Sequence, residues 1–184
     1  MTMTSLQAVG YCAHYSTQGD WALSLALAMA RRNGLQLNIF HFLSDPYSSG
    51  DRTEPLLDGE QLRSVAVQKE KELRLHYDPK LGDYLDVGFR LCEDCEWTEL
   101  HRCLTRREFQ VLVLACPQYD STFGGKPVDE FMDSFICPVV LVGPTSPLDV
   151  RLNSPARLIA QRLGLENPAG ILGVSPGDLS RRAG

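Results

Sequence analysis

The run Val111-Leu112-Val113-Leu114-Ala115-Cys116 constrains this chain more than any other stretch: it is continuously apolar and is closed at once by Pro117. Such a run is too short for a helix and shows no alternation, so it reads as a strand buried on both faces, the kind a parallel sheet requires. A polar loop follows from Pro117 to Gly125. Val128, Phe131, Met132 and Phe135 then recur at helical spacing, and Cys137-Pro138 ends that helix before a second buried run, Val139-Val140-Leu141-Val142. Strand, loop, helix, strand is a βαβ unit. In an open parallel sheet, ligands sit at the loop that leaves a strand's carboxyl end, so this loop is the first candidate site.

The remainder repeats the alternation. Leu6 to Ala13 is an apolar strand ending at the polar turn His14-Tyr15-Ser16-Thr17. Asp20 to Arg32 is a helix apolar over most of its surface, with Asp20 early and Arg31-Arg32 late, as the helix dipole favours, and Asn33-Gly34 stops it. Leu35 to Leu43 is the second strand. Ser44 to Gly59, rich in Ser, Pro, Gly and Asp, reads as a long surface loop or lid. Leu62 to His76 is a one-sided amphipathic helix, and Tyr84 to Cys92 alternates like a strand at a sheet edge. Trp97 to Phe109 is a further helix. The pattern predicts α/β architecture, five parallel strands alternating with four helices, over residues 1–144. Residues 145–184 read as a linker, a short helix over Ala156 to Leu163 started by Ser154-Pro155, and a C-terminal tail whose expected state is a mobile terminus.

Composition narrows the function classes. The chain has 184 residues, 43% hydrophobic and 22% charged, which suits one domain with an appendage. A formal charge of -5 carries no basic footprint for nucleic acid. No stretch has the apolar length of a membrane span, and no signal peptide is recognisable at the start, so a cytoplasmic protein with reduced thiols at its six cysteines is expected.

With these elements in place, the order of strands and helices resembles the universal stress protein family over about Leu6 to Val142. The matching features are Ala22 to Leu37 as first helix and turn, His41-Phe42 ending the second strand, and Gly125 placed before Cys137-Pro138. The resemblance implies a flavodoxin-like (Rossmann-like) open five-stranded parallel sheet with helices on both faces, and a homodimer joined through the last strand. Nucleotide-binding members carry an Asp at the end of the first strand and a Gly-x2-Gly-x9-Gly-Ser/Thr loop after the fourth. There the glycines let backbone N–H groups approach phosphates, and the Ser/Thr hydroxyl donates to them. Here His14 stands at the Asp position, Ala115 and Gln118 replace the first two glycines, and Lys126 follows Gly125 in place of Ser or Thr. The resemblance therefore implies the fold without ATP binding, and no cofactor is expected.

The leading expectation is a non-enzymatic stress-response module that acts on an unknown protein partner and has a degenerate nucleotide site. A second reading makes the altered crevice, lined by His14, Phe42, Ala115, Gln118, Gly125 and Lys126, a sensor for another anion or nucleotide, with Lys126 at a helix start and His14 as charged donors. A third is a thiol or metal sensor at Cys92-x-x-Cys95, where a helix dipole would depress a thiol pKa. A zinc site would need a second ligand pair. His101 and Cys103, two apart on a helix, point about 200° away from each other. No metal is expected. Cys12 and Cys116 would end adjacent strands at the crevice, where small buried core residues are the commoner use of free cysteine. No nucleophile elbow, metalloprotease motif or phosphate loop is present.

Overall fold

The computed structural model describes residues 5–42, 46–47, 58–92 and 97–175. The chain runs β1 (Ala8–Cys12), α1 (Thr17–Asn33), β2 (Gln36–Phe42), α2 (Gly59–Leu81), β3 (Val87–Cys92) and α3 (Trp97–Thr105). It continues through β4 (Val111–Ala115), β5 (Thr122–Phe123), β6 (Lys126–Pro127), α4 (Val128–Ser134) and β7 (Val139–Val142). The last elements are β8 (Val150–Leu152), α5 (Ser154–Leu158), α6 (Ala160–Leu163) and α7 (Pro168–Leu172).

The main sheet has the order β3-β2-β1-β4-β7-β8, and β5 pairs with β6 in a separate hairpin. β1, β2, β3, β4 and β7 are mutually parallel. The predicted βαβ unit around Val111–Cys116 is present, and β3 stands at a sheet edge as expected, beginning at Val87 and mostly half-buried with Arg90 exposed. Chain order reverses at the centre: β1 leads through α1 to β2 on one side and lies beside β4 on the other. That places the crevice of an open α/β sheet at the carboxyl ends of β1 and β4.

Residues of period two divide the core. Val9, Tyr11, Val111, Val113 and Ala115 face one layer with Leu25 and Met29 of α1, Leu73 and Tyr77 of α2, and Leu163 of α6. Cys12, Leu112, Leu114 and Cys116 face the other layer with Leu100 of α3 and Phe131 of α4. Each fully buried aliphatic or aromatic side chain contributes roughly 1.5–3 kcal/mol relative to exposure. The continuous apolar runs are what two covered faces demand. α1 ends as its sequence predicts, with Gly34 in the left-handed conformation and its N–H on Ala30 O, but it begins at Thr17, three residues before Asp20, where Ser16 accepts from Gly19 N.

Four expectations are corrected. The sheet has six strands where the pattern predicts five, because β8 adds antiparallel to β7 with Leu141 opposite Arg151. A three-residue, half-buried strand is too short to show periodicity. α2 runs well beyond His76 to Leu81, with Pro79 accommodated near its end. α3 stops at Thr105, because Arg107 takes a left-handed φ of 60° and turns the chain so that Phe109 enters the core before β4. The segment after Pro144 carries β8 and three short helices, and Ala160, Leu163 and Leu165 join the core beside α1. Asn153, 1% exposed, holds this extension in place. Its side chain caps α5 through Ala156 N (3.1 Å), accepts from Val139 N (2.9 Å), and donates to Met132 O (3.1 Å) and Cys137 O (2.9 Å). Among the described residues no helix is long and apolar enough to cross a membrane.

Candidate functional site

The crevice is built first from the turn after β1. His14 Nδ1 and Ser16 Oγ share a 2.7 Å hydrogen bond, and the same hydroxyl oxygen accepts from Gly19 N at 2.9 Å. Tyr11 runs beneath, its hydroxyl donating to Gly19 O at 2.9 Å and accepting from His14 N at 3.3 Å. Burial, reinforced by neighbouring Tyr77, pushes the Tyr11 hydroxyl well above its ordinary range, so it remains a neutral donor. The His14 ring is thereby fixed to the start of α1.

Across the crevice, the fourth strand ends in a closed turn. The Cys116 thiol donates to Gln118 O at 3.0 Å, Ser121 N donates to the same carbonyl at 3.1 Å, and Gln118 N donates to Ser121 Oγ at 2.9 Å. The chain then makes the β5–β6 hairpin, whose two central residues Gly124 and Gly125 have φ of 58° and 82°. Positive φ at both central positions is the geometry of a tight type I′ turn, which glycine adopts without a Cβ clash. Lys126 lies on the return strand opposite Phe123, two residues before α4 begins. The expectation of a helix-start lysine is corrected: the hairpin takes up that residue, and the N-cap of α4 is Pro127.

The space between these walls is occupied by Tyr47. Its ring packs on His14 at a centroid distance of 4.5 Å and meets Phe123 edge-on at 5.2 Å and 81°. Its hydroxyl donates to Ala115 O at 2.6 Å, at the carboxyl end of β4. Gly124 N donates to Pro46 O at 2.9 Å, tying the hairpin to the same dipeptide. Phe42 is buried beneath and packs edge-on against Phe123 at 5.8 Å. His14 and Ala115 therefore meet through Tyr47, Phe42 reaches them through Phe123, Gln118 is closed in its own turn, and Gly125 and Lys126 belong to the hairpin. Sequence reasoning singled out all six of these residues and missed Tyr47. The available signal was that Tyr47 is the single aromatic residue between Ser44 and Gly59.

Two neighbouring groups were also missed. Arg151 of β8 donates from Nη2 to Cys116 Sγ (3.1 Å) and from Nη1 to Asp129 (2.5 Å). Burial still outweighs the guanidinium and holds the Cys116 thiol above its ordinary range. On the β2 side, Tyr15 contacts His41 at 5.8 Å and His76 at 4.7 Å. Cys12, Cys92, Cys103, Cys116 and Cys137 are all buried. Burial and nearby thiols push Cys12 well up, and burial pushes Cys137 to about 12. Cys95, and with it the Cys92-x-x-Cys95 motif, lies outside the described residues, among which no group of three or more His, Cys, Asp or Glu side chains could hold a metal.

No family model matches this chain, and no curated protein matches its sequence. Solved structures do match. The chain is similar to a member of the universal stress protein family from Burkholderia pseudomallei, at 14% identity over 77% of this chain and 98% of that one, with a TM-score of 0.53. It is similar to the universal stress protein of Archaeoglobus fulgidus at 15% identity, over 74% of this chain and 93% of that one, with a TM-score of 0.50. The universal stress protein of Lactobacillus plantarum gives 17% identity over 75% of this chain and 98% of that one, with a TM-score of 0.50. At such identities the shared property is architecture: this chain has the fold of the universal stress proteins.

Proposed function

We propose that this chain is a non-enzymatic regulatory or interaction module of universal stress protein type, with a degenerate nucleotide site. The observation that carries the reading is Tyr47, whose ring and hydroxyl take up the space and the carbonyl that a crevice ligand would use. The groups that catalysis would call on are engaged in holding the fold: His14 is tied to Ser16 and Tyr47, and Cys116 is a buried thiol between Arg151 and Gln118 O. The module acts in the cytoplasm, in a stress response, through a protein partner.

The proposal includes a homodimer through the last strand of the sheet. The last strand of the expected five-stranded sheet, β7 (Val139–Val142), is covered by β8, so the edge open to a second copy is that of β8. Arg151 is paired with Leu141, so the outward-facing backbone groups for a second copy are those of Val150 and Leu152. An edge this short needs side-chain contacts around it to hold a dimer. Native mass spectrometry on freshly purified protein tests the reading in one spectrum. The expected result is a dimer with no bound small molecule. A copurified phosphate compound would overturn the degenerate site and favour the anion or nucleotide sensor, and a monomer at every concentration would overturn the dimer.

A further inference from the structure

The opposite end of α1 carries a second concavity. Arg32 lies fifteen residues beyond Thr17, about 22 Å along the helix, so this groove is remote from the Tyr47 crevice. It has a volume of about 870 Å³ and forms where α6 and α7 dock on α1. That is within the usual range of small-molecule sites, roughly 300–1,000 Å³. Leu27 and Ile171 supply its apolar wall and lean on the core behind it. Arg31, Arg32, Gln161 and Asn167 supply polar groups, and Glu166 is the one carboxylate on its lining.

The two arginines are held differently. Arg31 is anchored: Nη2 donates to Leu81 O (3.1 Å) and Asp83 (2.7 Å), and its guanidinium lies 5.3 Å from the Tyr84 ring centre. Arg32 has no hydrogen bond or ion pair among the described residues, yet its stem is positioned. It crosses Gly164, where a Cβ would stand 3.0 Å from both Arg32 Cδ and Nε and 2.6 Å from Ile171 Cγ2. Gly164 has a left-handed φ of 78°, so glycine is required there both for the turn and for this approach. Asn167 uses Oδ1 to cap α7 through Gly170 N (3.2 Å), which leaves its Nδ2 to donate, and the Gln161 amide is likewise unbonded among the described residues. A protein of net charge -5 thus presents, beside an apolar wall and with Glu166 on the same lining, a guanidinium without an ion pair among the described residues and two amides.

We propose that the groove between α1 and α6–α7 binds a small amphipathic anion, a medium-chain carboxylate whose head lies on Arg32 and whose apolar body lies along Leu27 and Ile171. A guanidinium takes a carboxylate through two parallel hydrogen bonds, and the apolar wall removes the chain from water. The test uses the full chain and sodium decanoate, below its micelle concentration, titrated by calorimetry at low ionic strength. Amide chemical shifts locate the site. The expected result is saturable binding with shifts at α1 and α6–α7, a loss of about tenfold or more in affinity for Arg32→Gln, weakening with salt, and much weaker binding of 1-decanol. Arg32 is exposed, so its replacement leaves the fold intact. Absence of saturable binding, affinity unchanged in Arg32→Gln, equal affinity for 1-decanol, or shifts confined to the Tyr47 crevice would each overturn the proposal.

Discussion

The hydroxyl of Tyr47 donates a 2.6 Å hydrogen bond to the carbonyl of Ala115, closing the carboxyl end of β4 with a side chain from the segment after β2. In an open α/β sheet the strand-end carbonyls and amides beside the switch point are the groups a ligand uses. Here the chain uses one of them itself.

Tyr47→Phe keeps the ring contacts with His14 and Phe123 and removes only the hydrogen bond, so it should cost about 0.5–1.5 kcal/mol. Tyr47→Ala removes the packing as well and should cost about 2–3 kcal/mol. Urea unfolding of both variants measures this. A Tyr47→Ala variant as stable as the parent would show that the tyrosine is not seated in the crevice.

Asn153 joins β7, α4 and α5 through four hydrogen bonds in a site 1% exposed to solvent. Replacement by alanine leaves buried donors and acceptors without partners, each worth about 1–3 kcal/mol. The expected loss is at least about 3 kcal/mol by chemical denaturation. Removal of residues 145–184 should do more, uncovering the β7 edge and its apolar face and giving a protein that aggregates on size-exclusion chromatography.

Stability should fall on mild acidification. Burial and Lys69 lower His41, against an opposing pull from Glu72. Burial and Lys80 lower His76, opposed by Asp20. The folded state therefore holds fewer protons on these rings than the unfolded chain below the ordinary histidine value of 6.5. Stability drops as pH falls from 6.5 through the lowered folded values and then levels. Thermal melts at pH 7.5 and 5.5 should show the drop, and the double variant His41→Gln, His76→Gln should flatten it. An unchanged slope in that variant would assign the pH dependence to other groups.

The five buried thiols should resist alkylation in the native state. Iodoacetamide at pH 8, mapped by peptide mass spectrometry, should leave Cys12 and Cys137 unmodified until denaturant is added, since burial denies access and disfavours the thiolate. Rapid native labelling of either would reopen the reading of a thiol sensor.

Local pattern made the buried parallel strands and the glycine stop of α1 readable from the sequence, because two-sided burial writes itself as continuous apolar runs, while the adjacency of β1 and β4 at the crevice came from the family resemblance. Three features were not read from the sequence, two of them because they depend on a distant partner. β8 is three half-buried residues whose identity as a strand comes only from the open edge of β7. The β5–β6 hairpin lies in what reads only as a polar loop with a glycine turn, although Gly124-Gly125 is itself a local hairpin signal. Tyr47 sits in a stretch that reads as polar loop, and its role appears only once Ala115 O and the His14 ring are brought together above the sheet. The loss of the glycine motif at Ala115 and Gln118 pointed to an altered crevice, and the side chain that fills it could not be inferred from that loss.

Calorimetric titration of ATP into the full-length protein tests the central claim most directly. A crevice closed by Tyr47 predicts no binding heat up to millimolar ATP. Saturable binding in the micromolar range that persists in Arg32→Gln would contradict the account of a degenerate site.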